Sequence, residues 1–252
     1  YTEDMLKEER QQKILERLYA SGKVQVVPLA REFESSQDTI RRDLTDLEDQ
    51  GFLKRVYGGA VPFRKVVPGF DGRTDKEKNE KYIVAKKAVE LVRPGSLIAI
   101  DGGTTNTLFA SLLPMSIRLR VVTNSFLVAE ELRKRPDVDV TFLGGSYDKQ
   151  SQVTVGEAAC LQLDSYLFDQ CFLGAYGVDA ATGLTIPEPF QGEVGVKRRL
   201  IDRSREVNVM GVCSKLGVSA EYVICPIDRI DRIICERPVP KLIQKKYGGR
   251  IV

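Results

Sequence analysis

The stretch LIAIDGGTTNTLFASLL, residues 97–113, decides the fold. Leu97–Ile100 is a short apolar run bounded by turn residues, the texture of a strand covered on both faces. Asp101-Gly102-Gly103-Thr104 is a turn, and Thr105–Leu113 has helical spacing. Working outward, the same alternation recurs. Strand-like runs stand at Leu119–Val122, Val138–Leu143, Phe168–Leu173, Val207–Val212 and Ile230–Cys235. Helical patterns fall at Ser125–Lys134, Glu157–Leu163 and Glu193–Ser204, and Lys76–Val92 precedes the first strand. Strands and helices in alternation predict a Rossmann-like, mostly parallel α/β domain.

The first 60 residues differ in texture. Lys7–Ala20 carries Ile14, Leu15 and Leu18 on one face and ends near Ser21-Gly22. Pro28 suits the first turn of a second helix ending near Phe33. Ser36 suits the N-cap of a third helix, Gln37 to Gln50, with Ile40, Leu44 and Leu47 inward and Gly51 as its stop. Phe52–Val61, with Gly58-Gly59, reads as a hairpin. Helix, turn, helix and hairpin make a winged helix-turn-helix. The expected organisation is a DNA-binding domain over 1–61, a linker over 62–79 rich in Pro, Gly and charge, and an α/β domain over 80–252.

Composition narrows the function. With 42% hydrophobic and 29% charged residues, the chain has ample material for a core. It contains no histidine, which removes Ser-His-Asp and Cys-His catalysis and histidine zinc sites. No metal site or cofactor is expected. The five cysteines form no CxxC pair and read as reduced, buried thiols. No run is long enough for a membrane span and the start is charged, so neither a membrane segment nor a signal peptide is expected.

In a helix-turn-helix the second helix enters the major groove with its N-terminal residues leading. Here these are Ser36, Gln37, Thr39, Arg41 and Arg42; Lys54, Arg55 and Tyr57 on the wing would reach the backbone. Arginine can fork onto guanine or phosphate and glutamine can pair with adenine. The competing reading is a solvated face, with Asp38 and Asp43 near enough to pair with the arginines. Residues 1–65 hold twelve basic and twelve acidic residues, so bulk charge is silent. Six of those bases lie at or after position 41, against four acids.

In the α/β domain, Gly102-Gly103-Thr104-Thr105 opens a helix and can cradle a phosphate, though two glycines there also serve as plain turn chemistry. It is neither G-x-G-x-x-G nor a Walker A loop. Thr123-Asn124-Ser125 and Gly144-Gly145-Ser146 follow two other strands, and ligands bind outside the carboxyl ends of such strands. Lys197 and Lys215 are candidate cations. Asp101 and Glu193 are candidate acceptors for ligand hydroxyls. Glu193 and Lys197, four apart, also fit a simple helical ion pair.

Arg10-Gln11-Gln12-Lys13-Ile14-Leu15, then Ser36-Gln37-Asp38-Thr39-Ile40-Arg41-Arg42-Asp43-Leu44, Leu47, Gly51 and the wing Arg55-Val56-Tyr57-Gly58-Gly59-Ala60, resemble the DeoR-type bacterial transcription regulators. The resemblance continues through Asp101–Thr105, Thr123-Asn124, Leu143–Gly145, Phe172–Ala175, Gly177-Val178, Gly183–Thr185, Glu193 with Lys197, and Ser214-Lys215. It implies a repressor, less often an activator, of a sugar or polyol catabolic operon. It also implies an effector domain similar in fold to ribose-5-phosphate isomerase. By the match, Gly102 to Thr105, Thr123, Asn124 and Lys215 are phosphate-side positions, and Glu193 and Lys197 hydroxyl-side ones. Two departures stand out. Tyr176 and Val212 occupy positions where the family often has aspartate, so two site carboxylates are missing. Tyr176 either stacks on a ligand or is packed.

The rival class is a sugar-phosphate isomerase-like enzyme with an accessory helix-turn-helix, but such an enzyme has no use for that domain. The reading is a cytoplasmic regulator and not an enzyme. It is expected to bind double-stranded operator DNA as a homodimer or homotetramer, under control of a phosphorylated sugar or polyol.

Overall fold

The computed structural model describes residues 6–49, 52–62 and 68–252. The chain divides into two compact units between Val67 and Pro68.

The first unit begins with α1 (Lys7–Ser21), which buries Ile14 and Leu18 and ends at Gly22, whose N–H donates to the Leu18 carbonyl. β1 (Val24–Gln25) leads into α2 (Val26–Glu32). α3 (Gln37–Asp49) is capped by Ser36, whose Oγ accepts from the Thr39 N–H at 3.1 Å. Its inward stripe is Ile40, Asp43, Leu44 and Leu47. β2 (Leu53–Val56) and β3 (Gly59–Pro62) form the hairpin, and β1 pairs with β3 to make a three-stranded antiparallel sheet. The short β1 was not expected from the sequence. The three helices and the sheet close one core around Ile14, Leu29, Phe33, Leu44 and Leu53. The expected helix end at Gln50 and stop at Gly51 lie outside the described residues.

The second unit opens with α4 (Phe70–Thr74) and α5 (Lys78–Leu91). This corrects the expected 62–79 linker: Phe70 is buried and its N–H donates to the Gln150 carbonyl, so residues 68–79 belong to the folded unit. Then follow β4 (Leu97–Ile100), α6 (Thr104–Leu112), β5 (Leu119–Thr123), α7 (Phe126–Leu132) and β6 (Val138–Phe142). A hairpin of β7 (Ser146–Asp148) and β8 (Val153–Val155) precedes α8 (Glu157–Leu163) and β9 (Gln170–Gly174). β10 (Gly177–Asp179), β11 (Gly183–Ile186), α9 (Val194–Asp202), β12 (Val207–Met210), β13 (Tyr222–Cys225), β14 (Arg232–Ile234) and α10 (Lys241–Lys246) complete the chain.

All six expected strands form one parallel sheet in the order β14-β12-β9-β4-β5-β6. Its central strands are buried along most of their length because helices cover both faces. Ile98, Ile100, Val121 and Phe172 face α5, α6 and α7 through Val84, Ala88, Phe109 and Val128. α8 and α9 pack together, and α9 also lies against β9. The antiparallel sheet β10-β11-β13 was not expected. The chain runs outward from β4 to β5 and β6, then returns beside β4 as β9 and runs the other way. The strand order therefore reverses between β4 and β9, the place where open α/β sheets bind ligands.

Candidate functional site

The helix-turn-helix presents an exposed face on α3. Ser36, Gln37, Arg41 and Arg42 are exposed and Thr39 is half-buried. Arg41 pairs with Asp38 at 2.7 Å and donates to Gln37 Oε1 at 3.2 Å. Exposed pairs of this kind contribute little, so a phosphate or base can displace them. Asp43 does not hold the arginines: it is buried and accepts from Arg10 Nε at 2.5 Å. The Arg42 side chain makes no ion pair or hydrogen bond among the described residues. On the wing, Lys54 is exposed and Tyr57 stands fully in solvent at the hairpin tip. Arg55 folds back, donating to Thr45 Oγ1 at 2.6 Å, and its backbone N–H donates to Glu48 Oε1 at 2.8 Å. The wing is thereby anchored to α3.

In the second unit the glycine turn lies at the reversal point. Asp101 Oδ2 accepts from the Gly174 N–H at 3.2 Å, joining the ends of β4 and β9. A Cβ on Gly102 would lie 2.2 Å from Val153, so only glycine lets this turn pass beneath β8. No side chain caps α6, which leaves its first backbone N–H groups for a ligand. Thr104 and Thr105 are half-exposed. Asn106, fully buried, donates to the Gly102 carbonyl at 2.8 Å, while its Oδ1 has no partner among the described residues. Thr123 and Asn124 are buried at the end of β5, and Asn124 donates to the Thr154 carbonyl at 2.9 Å.

Gly144 and Gly145 behave differently. Gly144 is exposed and its N–H donates to Gln162 at 3.1 Å, and Gly145 lies against Val155 and Ala159. They seat the β7–β8 hairpin.

Lys197 is not a free cation. It is buried, bonded to Asp101 Oδ2, and its Nζ lies 3.3 Å from Glu193 Oε2. Ser151 Oγ donates to Glu193 Oε1 at 2.5 Å. Burial pushes the Glu193 carboxyl up, with the Lys197 charge opposing. For Lys197 burial pulls down, but the two carboxylates outweigh it and hold the ammonium above its ordinary value. The result is a buried triad that braces α9 against β4 through Asp101.

Tyr176 is packed on Phe190, with ring centroids 4.7 Å apart, and the Arg73 guanidinium lies 4.8 Å from the Tyr176 ring. Burial, with the Glu193 charge adding, drives its hydroxyl far above the ordinary tyrosine range. Val212 is buried in the core beside Met210. Lys215 is half-exposed in the turn after β12, and its neighbour Ser214 donates to Glu77 Oε1.

Two residues at this edge escaped the sequence reading, Arg73 and Lys81. Lys81, buried, donates to the Arg73 carbonyl. A signal existed for it: with Val84, Ala85 and Ala88 it continues one buried helical stripe.

Comparison with known proteins agrees with both halves. Residues 10–65 match the DeoR-like helix-turn-helix domain and residues 76–237 the DeoR C-terminal sensor domain. The HTH-type transcriptional regulator GolR of Listeria innocua is 31% identical over 241 residues, 95% of this chain and 94% of that protein. The uncharacterised regulator YgbI of Escherichia coli is 33% identical, covering 94% of this chain and 92% of that protein. The repressor GlcR of Bacillus subtilis is 29% identical, covering 92% and 90%. Among solved structures, ribose-5-phosphate isomerase A of Methanocaldococcus jannaschii has a TM-score of 0.42 at 22% identity, covering 56% of this chain and 55% of that one. The sorbitol operon regulator SorC of Klebsiella pneumoniae has a TM-score of 0.43 at 12% identity, covering 94% and 97%. With a DNA-binding helix-turn-helix and a C-terminal sensor domain on one chain, the protein belongs to the DeoR family of transcription regulators.

Proposed function

We propose that this regulator represses a sugar or polyol catabolic operon in the cytoplasm and that a phosphorylated sugar or polyol controls its hold on operator DNA. The observation that carries the effector reading is the uncapped start of α6, opened by Gly102-Gly103 at the point where strand order reverses. A phosphate there meets backbone N–H groups, the Thr104 and Thr105 hydroxyls and the cation of Lys215. Asp101 and Glu193 then lie on the hydroxyl side, held in place by Lys197. With packed Tyr176 and buried Val212 in place of two carboxylates, fewer acceptors remain for hydroxyls. An effector with fewer hydroxyls, or with an apolar part, fits this site.

On the DNA side, Ser36, Gln37, Thr39, Arg41 and Arg42 read the major groove, and Lys54, Arg55 and Tyr57 meet the backbone. A homodimer or homotetramer would match half-sites of a palindrome. For release, the effector must prefer the state that cannot bind DNA. DNA selected from a random pool by the full chain supplies the operator, and anisotropy then reports its release by a panel of phosphorylated sugars and polyols. Release by a phosphorylated member and not by its unphosphorylated counterpart is expected. Release by neither, or equally by both, would overturn the phosphate assignment.

A further inference from the structure

The sensor domain buries two lysines, and only one of them forms an ion pair among the described residues. Lys197 is held by Asp101 and Glu193. Lys81 is 8% exposed, and its ammonium donates to one backbone carbonyl, that of Arg73. An ammonium has three N–H donors, so two are left over. The Lys81 ammonium makes no ion pair or further hydrogen bond among the described residues. The charges around it are Glu77, which accepts from Ser214, and the cations Arg73, Lys76 and Lys215. Burial dominates this balance and pulls the ammonium down to about 8. A buried cation in that state is costly unless an anion completes it.

The topology says where that anion would sit. α5 runs into β4 and α6 runs back from its end, so both helices start at the carboxyl edge of the sheet. They pack along each other, and α5 also lies against β12 and β14. The first turn of α5, with Lys81, therefore lies at the same sheet edge as the first turn of α6, and the Lys215 charge of the Cys213–Lys215 turn acts on Lys81. The bond from Ser214 to Glu77, the residue before α5, ties the start of that helix to the Cys213–Lys215 turn.

We propose that Lys81 is an anion-binding residue of the sensor site, taking a doubly charged oxyanion between the first turns of α5 and α6. The anion draws the ammonium away from the Arg73 carbonyl. Arg73 lies in α4, where its guanidinium rests on Tyr176 and Phe190. Occupancy is thus felt by the segment that opens the sensor domain. This rests on the phosphate reading of the site given above.

Inorganic sulfate is a suitable probe because it stays doubly negative across the relevant range. Thermal-shift titration of the full chain gives its apparent affinity. Affinity should fall about tenfold or more between about pH 7 and pH 9.5, as Lys81 loses its proton. K81M should bind about tenfold more weakly at the lower pH and show no such fall, whereas K81R should keep most of the affinity. Hydrogen exchange at the Arg73–Thr74 amides should quicken with sulfate in the native protein and not in K81M. Equal binding by native protein and K81M, with the same pH profile, would overturn the role of Lys81 and leave the phosphate site standing. No binding by the native protein would overturn both.

Discussion

Asp43, Lys81 and Lys197 each occupy a position where helical spacing calls for an apolar side chain. Each is answered differently: Asp43 by Arg10, Lys197 by two carboxylates, Lys81 by a carbonyl. Removing one partner of a buried pair leaves an uncompensated charge, which costs about 3–5 kcal/mol. Lys197→Met should therefore destabilise the sensor domain by that order in urea unfolding. The loss should be smaller at low pH, where Glu193, already pushed up by burial, takes a proton and one charge disappears. The two lysines carry opposite pH signatures. Lys197 is raised, so its contribution is whole below the unfolded value near 10.5 and is lost as pH climbs through the higher folded value. Lys81 is lowered to about 8, so between there and 10.5 the unfolded chain binds the extra proton and stability rises with pH. K81M should flatten that rise in a series of denaturation curves.

α3 shows what an element adds to its residues. Arg41 is engaged along its own helix by Asp38 and Gln37, whereas the Arg42 side chain has no partner among the described residues. Arg42→Ala should weaken operator binding and reduce the slope of log affinity against log salt by about one, if Arg42 meets a phosphate. An unchanged slope would place it elsewhere. α3 and all six parallel strands were legible because apolar runs and helical stripes carry their own period. The β7–β8 hairpin and the β10-β11-β13 sheet were not. Their strands are three or four residues long, and segments such as Gly177–Asp179 become strands only by pairing with a partner. α4 was hidden for a similar reason: in Phe70-Asp71-Gly72-Arg73-Thr74 only Phe70 is buried, too little for a stripe. Charge was legible in part. The helical pair of Glu193 with Lys197, one of two readings of that spacing, forms, but the second carboxylate, Asp101, and the Arg10 partner of Asp43 were hidden, because sequence shows spacing on one helix and not the groups that face it from another.

For the whole molecule, the division between Val67 and Pro68 has a thermodynamic expectation. Each unit has its own core, so fragments cut there should fold separately, and the full chain should melt in two transitions by calorimetry. The smaller unit should melt first, since a domain of this size buries a smaller share of its surface. A single transition in the full chain, with an unfolded 1–67 fragment, would count against this division. The chain also contains no tryptophan, and Tyr57 is fully exposed at the tip of the wing. Its near-ultraviolet emission is tyrosine alone, dark to excitation at the red edge where only indole absorbs. Tyr57→Trp would thus install a single fluorophore at the tip of the wing, against a silent background, and let light report when that loop leaves water for DNA.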